Sequence, residues 1–211
     1  MHQTISPAIL YWGTPVIIIS TTNEDGTTNL APMSSAWWLR QRCMLGLASQ
    51  SQTTRNLQRT KQCVLNMPSD SMVTQVNALA KTSGRQDLSP FKKAAGYEYV
   101  KDKFGRAKLT PMGSEMVTPL RVQECPVQME AELVQVNEMN CGEEGMGGFF
   151  LGLEVKILKV HGEESIVQIG ASDRIDVDRW KPLMMSFQQF YGLSGRLQPS
   201  RLAEIDEEHY R

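Results

Sequence analysis

One stretch of the sequence decides the fold: TPVIIISTTNEDGTTNLAPMSS, residues 14–35. Its run of β-branched residues at positions 16–19 is typical of a buried strand. The pair Asp25-Gly26 predicts a hairpin turn, because such a turn needs positive φ, which glycine adopts without strain. Pro32 in the return strand has no N–H to donate. We therefore expect pairing to stop near Pro32, which leaves the main chain of residues 30–35 free to face a ligand or a sheet edge.

A cluster of hydroxyl groups follows the third predicted strand, residues 43–48. The sequence there reads SQSQTT, residues 49–54, and opens a short predicted helix that runs through Leu57. The first N–H groups of a helix have no partner within it, and with the helix dipole they suit an anion such as a phosphate. In the alternative interpretation, Ser51 or Thr53 only caps the helix. The segment by itself leaves both interpretations open.

Further strands and helices are predicted downstream. Residues 62–67 predict a strand that Pro68 stops, residues 72–80 an amphipathic helix, and Ser89 the cap of a short helix. Two later segments alternate apolar and polar side chains, so each predicts a strand that buries one face. These segments are residues 127–133 and 151–157. A last strand is predicted at residues 166–169 and a charged terminal helix at residues 199–210.

The loop after the amphipathic helix is a candidate binding segment. It contains Lys81, Gly84 and Arg85. Its cationic side chains can reach a phosphate or a substrate that enters beside it. The alternative is a solvated turn with no ligand.

Composition bounds the class of protein. The chain has 211 residues, of which 41% are hydrophobic and 21% charged, and this is typical of one globular domain. We expect a core over residues 10–170 and a C-terminal extension over residues 171–211. The net charge of -1 and the absence of basic runs argue against a nucleic-acid partner. The sequence shows neither a signal peptide nor an apolar stretch near the roughly 20 residues that span a bilayer, so we expect no membrane partner and a cytoplasmic location.

Cysteine and histidine usage gives no support for a disulfide framework or a metal site. Cys43, Cys63, Cys125 and Cys141 are widely spaced, and we expect them to be reduced structural residues. The three histidines are dispersed along the chain. Hydrolase motifs and glycine-rich nucleotide loops are also absent from the sequence. This pattern favours a reaction that a bound cofactor carries out.

Several short motifs follow one another in a distinctive order. They are NLAPMS (29–34), LGL (45–47), TTRNL (53–57), VLN (64–66), DKF (102–104), LTP (109–111), ECPVQME (124–130) and FLGLEV (150–155). This order resembles the flavin reductase-like family and its flavoredoxin-like branch, whose fold is the FMN-binding split barrel. The resemblance covers about residues 10–200. It rests on the order of the motifs, since no single one is very specific.

The resemblance implies a mainly β fold: an antiparallel Greek-key split β-barrel with a few peripheral helices. It also implies FMN as the cofactor and a homodimer with the flavin near the interface. The apolar residues 183–193 predict a surface that packs across a partner subunit. The irregular residues 86–124 are expected to cover the flavin or shape the dimer. Tyr97, Tyr99 and Phe104 are candidates for stacking on the flavin ring, with ordinary packing as the alternative for each.

The residues of the cofactor site combine this resemblance with the basic loop. The return strand of the hairpin would contact the ring and ribityl chain, and the helix start would hold the ribityl chain and phosphate. The predicted cofactor-binding residues are Asn29, Leu30, Ala31, Pro32, Met33, Ser34, Ser35, Ser49, Gln50, Ser51, Thr53, Thr54, Lys81, Gly84 and Arg85. No catalytic residue is predicted.

Three functions are compatible with these motifs. The first is an FMN-dependent oxidoreductase or electron carrier, the second an NAD(P)H:flavin oxidoreductase, and the third a non-catalytic flavin-binding or ligand-binding module. Flavin reductases of two-component monooxygenases carry Gly-Asp-His just before the strand that corresponds to residues 149–155. The matching stretch here is Gly145-Met146-Gly147-Gly148, without acid or imidazole. This departure favours the first function, in which the electron donor can be another redox protein.

Overall fold

The computed structural model of the protein describes residues 1–139, 142–145, 147–171 and 173–210. The strands, in chain order, are β1 (Trp12–Pro15), β2 (Ile17–Thr22), β3 (Thr28–Met33), β4 (Ala36–Leu39), β5 (Arg42–Ala48), β6 (Gln62–Met67), β7 (Thr82–Ser83), β8 (Glu98–Tyr99), β9 (Pro111–Met112), β10 (Arg121–Val122), β11 (Val127–Glu138), β12 (Phe150–Gly162), β13 (Met184–Ser186) and β14 (Gln189–Tyr191). The α-helices are α1 (Gln52–Thr60), α2 (Val73–Leu79), α3 (Pro90–Ala94) and α4 (Lys103–Ala107). Short 3-10 helices cover Asp70–Met72, Glu164–Ile166, Arg201–Glu204 and Glu207–Tyr210.

The main sheet has seven antiparallel strands in the order β3-β2-β6-β11-β12-β5-β4. Its two edge strands, β3 and β4, are neighbours in sequence, with Ser34 and Ser35 between them. Three residue steps span at most about 11 Å, so the sheet must curl until its edges almost meet. Within the described residues no ladder joins β3 to β4. The result is a barrel with a split between these strands, and the predicted mainly β split-barrel fold is confirmed.

Apolar side chains pack on both faces of the first strands of the barrel. Ile17 and Ile19 point into the barrel core, whereas Ile18 and Leu30 belong to a second cluster outside it. Val76 of α2 packs into this outer cluster. Because β2 is buried on both faces, its continuous run of β-branched residues is what the position requires.

Glu130 on β11 shows how the outer face of the barrel is covered. Its side chain is 0% exposed, and its carboxylate accepts hydrogen bonds from the main-chain N–H groups of residues 115–117. His161 Nε2 lies 2.7 Å from the same carboxylate. Burial by itself would raise the pKa of Glu130, but these hydrogen bonds and His161 lower the pKa below its ordinary value. The expectation that residues 127–133 bury one face only is therefore wrong at Glu130, because the loop before β10 covers the other face.

The pairing of β3 differs from the expectation. The ladder with β2 continues to Pro32, opposite Ile18, and to Met33, opposite Ile17. An edge strand accommodates a proline because one side of it needs no donors. The Leu30 carbonyl on β3 is not free either, since it accepts a hydrogen bond from Lys103. Pairing therefore does not stop at Pro32, although β3 remains an edge of the sheet.

The C-terminal third also differs from the predicted elements. The predicted strand at residues 166–169 is wrong: Ile166 ends a 3-10 helix, and Val167 forms a single bridge with Ile175. The predicted helix at residues 199–210 is two 3-10 helices, because a short charged segment without a buried face gains little from a full helix. Strands β13 and β14 form a hairpin that pairs with β1. Leu183, just before it, is buried in the protein's own core, so part of the surface expected to meet a partner is used within the chain.

The cysteines of the described residues are free and buried. They are Cys43, Cys63 and Cys125, as predicted, and Cys141 lies outside the described residues. Burial raises the pKa of all three thiols, which keeps them protonated and makes them packing groups. In the described part of the chain, no helix is both long enough and apolar enough to cross a membrane.

Candidate functional site

A cavity of about 670 Å³ opens where the barrel is split, and we call it the split pocket. One wall is β3 with the link to β4. The other walls are the start of α1, the end of α2 with the loop after it, and the hairpin of β13 and β14. Strand β3 rises about 13 Å from Asn29 to Met33, which gives the pocket two distinct ends. Asn29 marks a polar end, and Met33 marks an apolar end together with Val16 and Met185.

The split pocket carries positive charge. Lys81, Lys92 and Lys103 line it, and none of the described residues in its lining is Asp or Glu. Lys103 is 3% exposed, and its Nζ donates a hydrogen bond to the Leu30 carbonyl at 2.7 Å. Burial, together with the charge of Lys92, lowers the pKa of Lys103 to about 7. A buried ammonium without a paired carboxylate is stabilised by an anionic or carbonyl-rich ligand, so the pocket favours such a ligand.

At the polar end, a buried amide oxygen lacks a hydrogen-bond partner among the described residues. The Asn29 side chain is buried, and its Nδ2 donates to Thr53 Oγ1 at 3.2 Å. Its Oδ1 has no hydrogen-bond partner among the described residues. A Cβ added at Gly84 would come within 2.4 Å of this oxygen, so a glycine is needed at position 84. Because an unpaired buried acceptor is costly, a donor group of a ligand would stabilise this site.

The start of α1 separates the two interpretations of its hydroxyl groups. Ser51 is the N-cap, since its Oγ accepts the Thr54 main-chain N–H at 3.0 Å. Thr54 donates its hydroxyl proton to the Ala48 carbonyl, so the Ser51 hydroxyl, 2.8 Å from Thr54 Oγ1, donates to Thr54. Both hydroxyl protons are thus used within the chain, and the capping interpretation is confirmed for Ser51.

Thr53 is placed differently from Ser51. Its hydroxyl accepts from Asn29 and donates to no described residue, so its proton can be given to a ligand. The main-chain N–H groups of Gln52 and Thr53 also make no hydrogen bond to the described residues. All three donors lie at the positive end of the helix. The arrangement can bind a phosphate through Thr53 and these two N–H groups.

Most of the predicted site residues meet in the split pocket. The residues that line it are Asn29, Ala31, Pro32, Met33, Ser34, Ser35, Ser51, Thr53, Lys81 and Gly84. The remaining five are outside its lining. Leu30 and Thr54 are buried in the protein, Ser49 and Gln50 belong to the turn before α1, and Arg85 lines a neighbouring cavity. Arg85 Nη1 donates to the Gln50 carbonyl, at 3.2 Å.

Sequence reasoning missed several residues of the pocket. Lys103 belongs to the DKF motif, and Lys92 lies in the segment of residues 86–124. Gln188 and Phe190 come from the C-terminal hairpin, which was expected to meet a partner. Of the predicted stacking residues, Tyr97 lines the split pocket, Tyr99 lines the neighbouring cavity, and Phe104 packs against the outer core cluster. In the sequence, Lys103 is marked only by its position directly after Asp102, which caps α4.

Comparison with known proteins gives relatives over most of the chain. A sequence model described as flavin reductase like domain matches residues 11–193. An uncharacterized protein of Bacillus subtilis (strain 168), YdfE, is 37% identical over 191 residues, which cover 90% of this chain and 89% of that protein. Residues 11–193 include the barrel, the helices around the split pocket and the C-terminal hairpin.

Solved structures share the fold at low sequence identity. Flavoredoxin of Desulfovibrio vulgaris (Miyazaki F) has a TM-score of 0.76 at 18% identity, over 97% of this chain and 100% of its own. A Shewanella frigidimarina NCIMB 400 protein with a split barrel domain has a TM-score of 0.67 at 17% identity, over 89% of this chain and 86% of its own. At these identities the likeness concerns the fold alone.

Proposed function

The chain belongs to the flavin reductase-like family, and we propose that it binds FMN in the split pocket and acts as an FMN-dependent oxidoreductase or electron carrier. The observation that carries this proposal is the lining of the pocket. It combines unused donors at the start of α1, an unpartnered Asn29 Oδ1 and three lysines with no acidic residue in its described lining. An anion with a long polar chain and a flat apolar body fits such a pocket at both ends.

The polar end would hold the phosphate and ribityl chain. The Thr53 hydroxyl and the main-chain N–H groups of Gln52 and Thr53 would donate to phosphate oxygens. Lys81 adds positive charge at the same end. Asn29 Oδ1 would accept a hydrogen bond from a hydroxyl group of the ribityl chain, which removes the cost of leaving it unpaired.

The apolar end would hold the ring system. Met33, Met185 and Phe190 supply apolar surface there. Between the two ends, Lys103 would donate to a ring carbonyl oxygen while it keeps its hydrogen bond to Leu30, the neighbour of Asn29 on β3. Because the pKa of Lys103 is about 7, its Nζ can hold or release a proton near neutral pH.

Bound FMN would supply the electron transfer itself, as cofactors do for chemistry that side chains cannot perform. The chain binds and orients the cofactor, keeps water from its apolar end and holds a proton at Lys103 Nζ. Among the described residues, no group of three or more His, Cys, Asp or Glu side chains is placed to hold a metal ion.

An electron donor other than NAD(P)H is favoured by two observations. The described lining of the split pocket contains no histidine, and His161 instead contacts Glu130. The stretch of residues 145–148 has no Gly-Asp-His pattern, and Met146 within it lies outside the described residues. A redox protein as donor therefore fits this chain better than direct reduction by a nicotinamide nucleotide.

We also propose a homodimer in the cytoplasm. Edge strand β4 supports the assembly, because Trp37 is 57% and Leu39 is 68% exposed on it. They line a cavity of about 530 Å³ together with Met44, and burial against a second copy would remove this apolar surface from water. Light scattering at micromolar concentration should give twice the mass of the chain. A monomer with flavin bound would contradict the dimer.

The function is tested by the visible spectrum of the purified protein, followed by anaerobic mixing with NADH and NADPH. A yellow protein that neither nucleotide bleaches supports the proposal. Bleaching within one turnover would instead support an NAD(P)H:flavin oxidoreductase. A colourless protein that takes up no added FMN would support the third function, a ligand-binding module without redox chemistry.

A further inference from the structure

Residues 84–97 form a surface loop that contains α3, and we call it the α3 loop. Its two ends lie side by side, because β7 before it pairs in parallel with β8 after it. None of its residues is buried, so packing in a core does not account for its conformation. Two of its side chains, Lys92 and Tyr97, line the split pocket. Compact loops with adjacent ends frequently carry function, and this one presents a cation to the pocket.

The ammonium group of Lys92 is held at the wall of the pocket without an anionic partner. Its Nζ lies 5.4 Å from the centre of the Tyr97 ring. No carboxylate of the described residues forms an ion pair with it. An aromatic face attracts a cation but leaves its N–H donors unused. Lys92 can therefore donate hydrogen bonds to an anion in the pocket.

A second ammonium group lies close enough to Lys92 to be affected by its charge. Burial, together with the charge of Lys92, lowers the pKa of Lys103. Burial and the charge of Arg85 in turn lower the pKa of Lys92. The hydrogen bond to the Leu30 carbonyl uses only one of the three donors of Lys103. An anion that accepts from both lysines would offset their repulsion, and a carboxylate has one oxygen for each of them.

Lys92 is the one lysine of the pocket lining to which binding of FMN assigns no contact. Lys81 would lie with the phosphate, and Lys103 would reach a ring carbonyl oxygen from the side of β3. Lys92 reaches the pocket from the α3 loop, which is not part of the sheet. A ring that lies along β3 would have the α3 loop beside it, and a substrate that exchanges electrons with the ring would need that space.

We propose that Lys92, together with Lys103, binds the carboxylate of a small organic substrate between the flavin ring and the α3 loop. The inference rests on the proposed function, because it needs the ring in the split pocket. It names the class of substrate, a small organic carboxylate, for the same site. The Tyr97 ring would hold the Lys92 side chain in position for this contact.

The test is a calorimetric titration of FMN-loaded protein with benzoate and with benzamide, which has the same shape and no charge. Wild-type protein should bind benzoate at least about tenfold more tightly than benzamide. Lys92→Met should lower the benzoate affinity about tenfold and leave the benzamide affinity unchanged. Lys92→Arg keeps the charge and should retain most of the preference. Lys93→Met is the matched control, because Lys93 is the next residue of α3, is exposed and lies outside the pocket lining. It should change neither affinity.

The outcomes separate this inference from the proposed function. Equal binding of benzoate and benzamide by wild-type protein would overturn the carboxylate site, as would an equal loss of benzoate affinity in Lys92→Met and Lys93→Met. Release of FMN by benzoate would also overturn it, because the lysines would then belong to the cofactor site. Each of these results leaves the binding of FMN intact. If wild-type protein takes up no FMN, the proposed function fails and this inference fails with it.

Discussion

The hydroxyl groups of Ser51 and Thr53 give the sharpest test of the phosphate site. They lie only two positions apart in the sequence, but they have different roles. Thr53→Val removes the hydroxyl and keeps the shape of the side chain. Ser51→Ala removes the N-cap of α1. Thr53 has a proton free for a ligand, whereas the Ser51 proton is donated to Thr54. The two substitutions should therefore act on different quantities.

The expected magnitudes follow from these contacts. A hydrogen bond to a charged phosphate contributes about 1.5–3 kcal/mol, so Thr53→Val should weaken FMN binding roughly tenfold to a hundredfold. The same change removes the acceptor of Asn29 Nδ2, which affects riboflavin and FMN alike. Ser51→Ala should lower the free energy of unfolding by about 1 kcal/mol and leave the affinities nearly unchanged.

The quantity to measure is the ratio of the FMN and riboflavin dissociation constants, obtained by fluorescence titration of flavin-free protein. Riboflavin has no phosphate, so the ratio reports the phosphate contacts alone. We expect Thr53→Val to change this ratio at least tenfold and Ser51→Ala to leave it close to the wild-type value. An unchanged ratio in Thr53→Val would refute the assignment of the α1 start as a phosphate site. A ratio that changes in Ser51→Ala alone would refute the distinction drawn between the two hydroxyls.

Three further predictions concern other parts of the pocket and the barrel. Glu130→Gln should lower the free energy of unfolding by about 3 kcal/mol at pH 7 in chemical denaturation, since three main-chain donors and His161 lose a charged acceptor. Because the pKa of Glu130 is lowered in the folded protein, its contribution to the free energy of unfolding should be present above the ordinary carboxyl pKa. This contribution should disappear as the pH falls through the pKa of the folded protein. A Glu130→Gln variant as stable as wild type at pH 7 would contradict the prediction. Riboflavin affinity should fall as the pH rises from about 6 to 8, because Lys103 loses its proton near pH 7. The Lys103→Met variant should bind riboflavin weakly and without this pH dependence. A pH dependence that survives in Lys103→Met would exclude Lys103 as its source. Gly84→Ala should destabilise the protein by about 1–3 kcal/mol in thermal unfolding and lower its FMN affinity, because the new Cβ meets Asn29 Oδ1. Gly113→Ala, which has open space around its Cβ, serves as the control.

The sequence by itself determined the features that depend on neighbours along the chain. The β-branched run at residues 16–19, the Asp25-Gly26 turn and the hydroxyl-rich start of α1 are local signals, and each forms the predicted element. The order of motifs was enough for the family and for the split-barrel fold. Ten of the predicted site residues line one pocket, because they lie on β3, its link to β4, the start of α1 and the loop after α2, which the barrel topology brings together.

Only the tertiary structure decided what each of these polar groups does. Ser51 and Thr53 have the same chemistry in the sequence, and their roles differ because Thr54 lies beside one and Asn29 beside the other. Lys103 became a site residue because α4 packs against β3 and buries its ammonium on the Leu30 carbonyl, 73 positions away in the sequence. Glu130 lies in an alternating pattern that predicts an exposed side chain. The irregular loop before β10 covers it instead, and this loop shows no periodicity in the sequence. Burial and pairing over such separations depend on the packing of the whole chain, and local patterns carry no information about them.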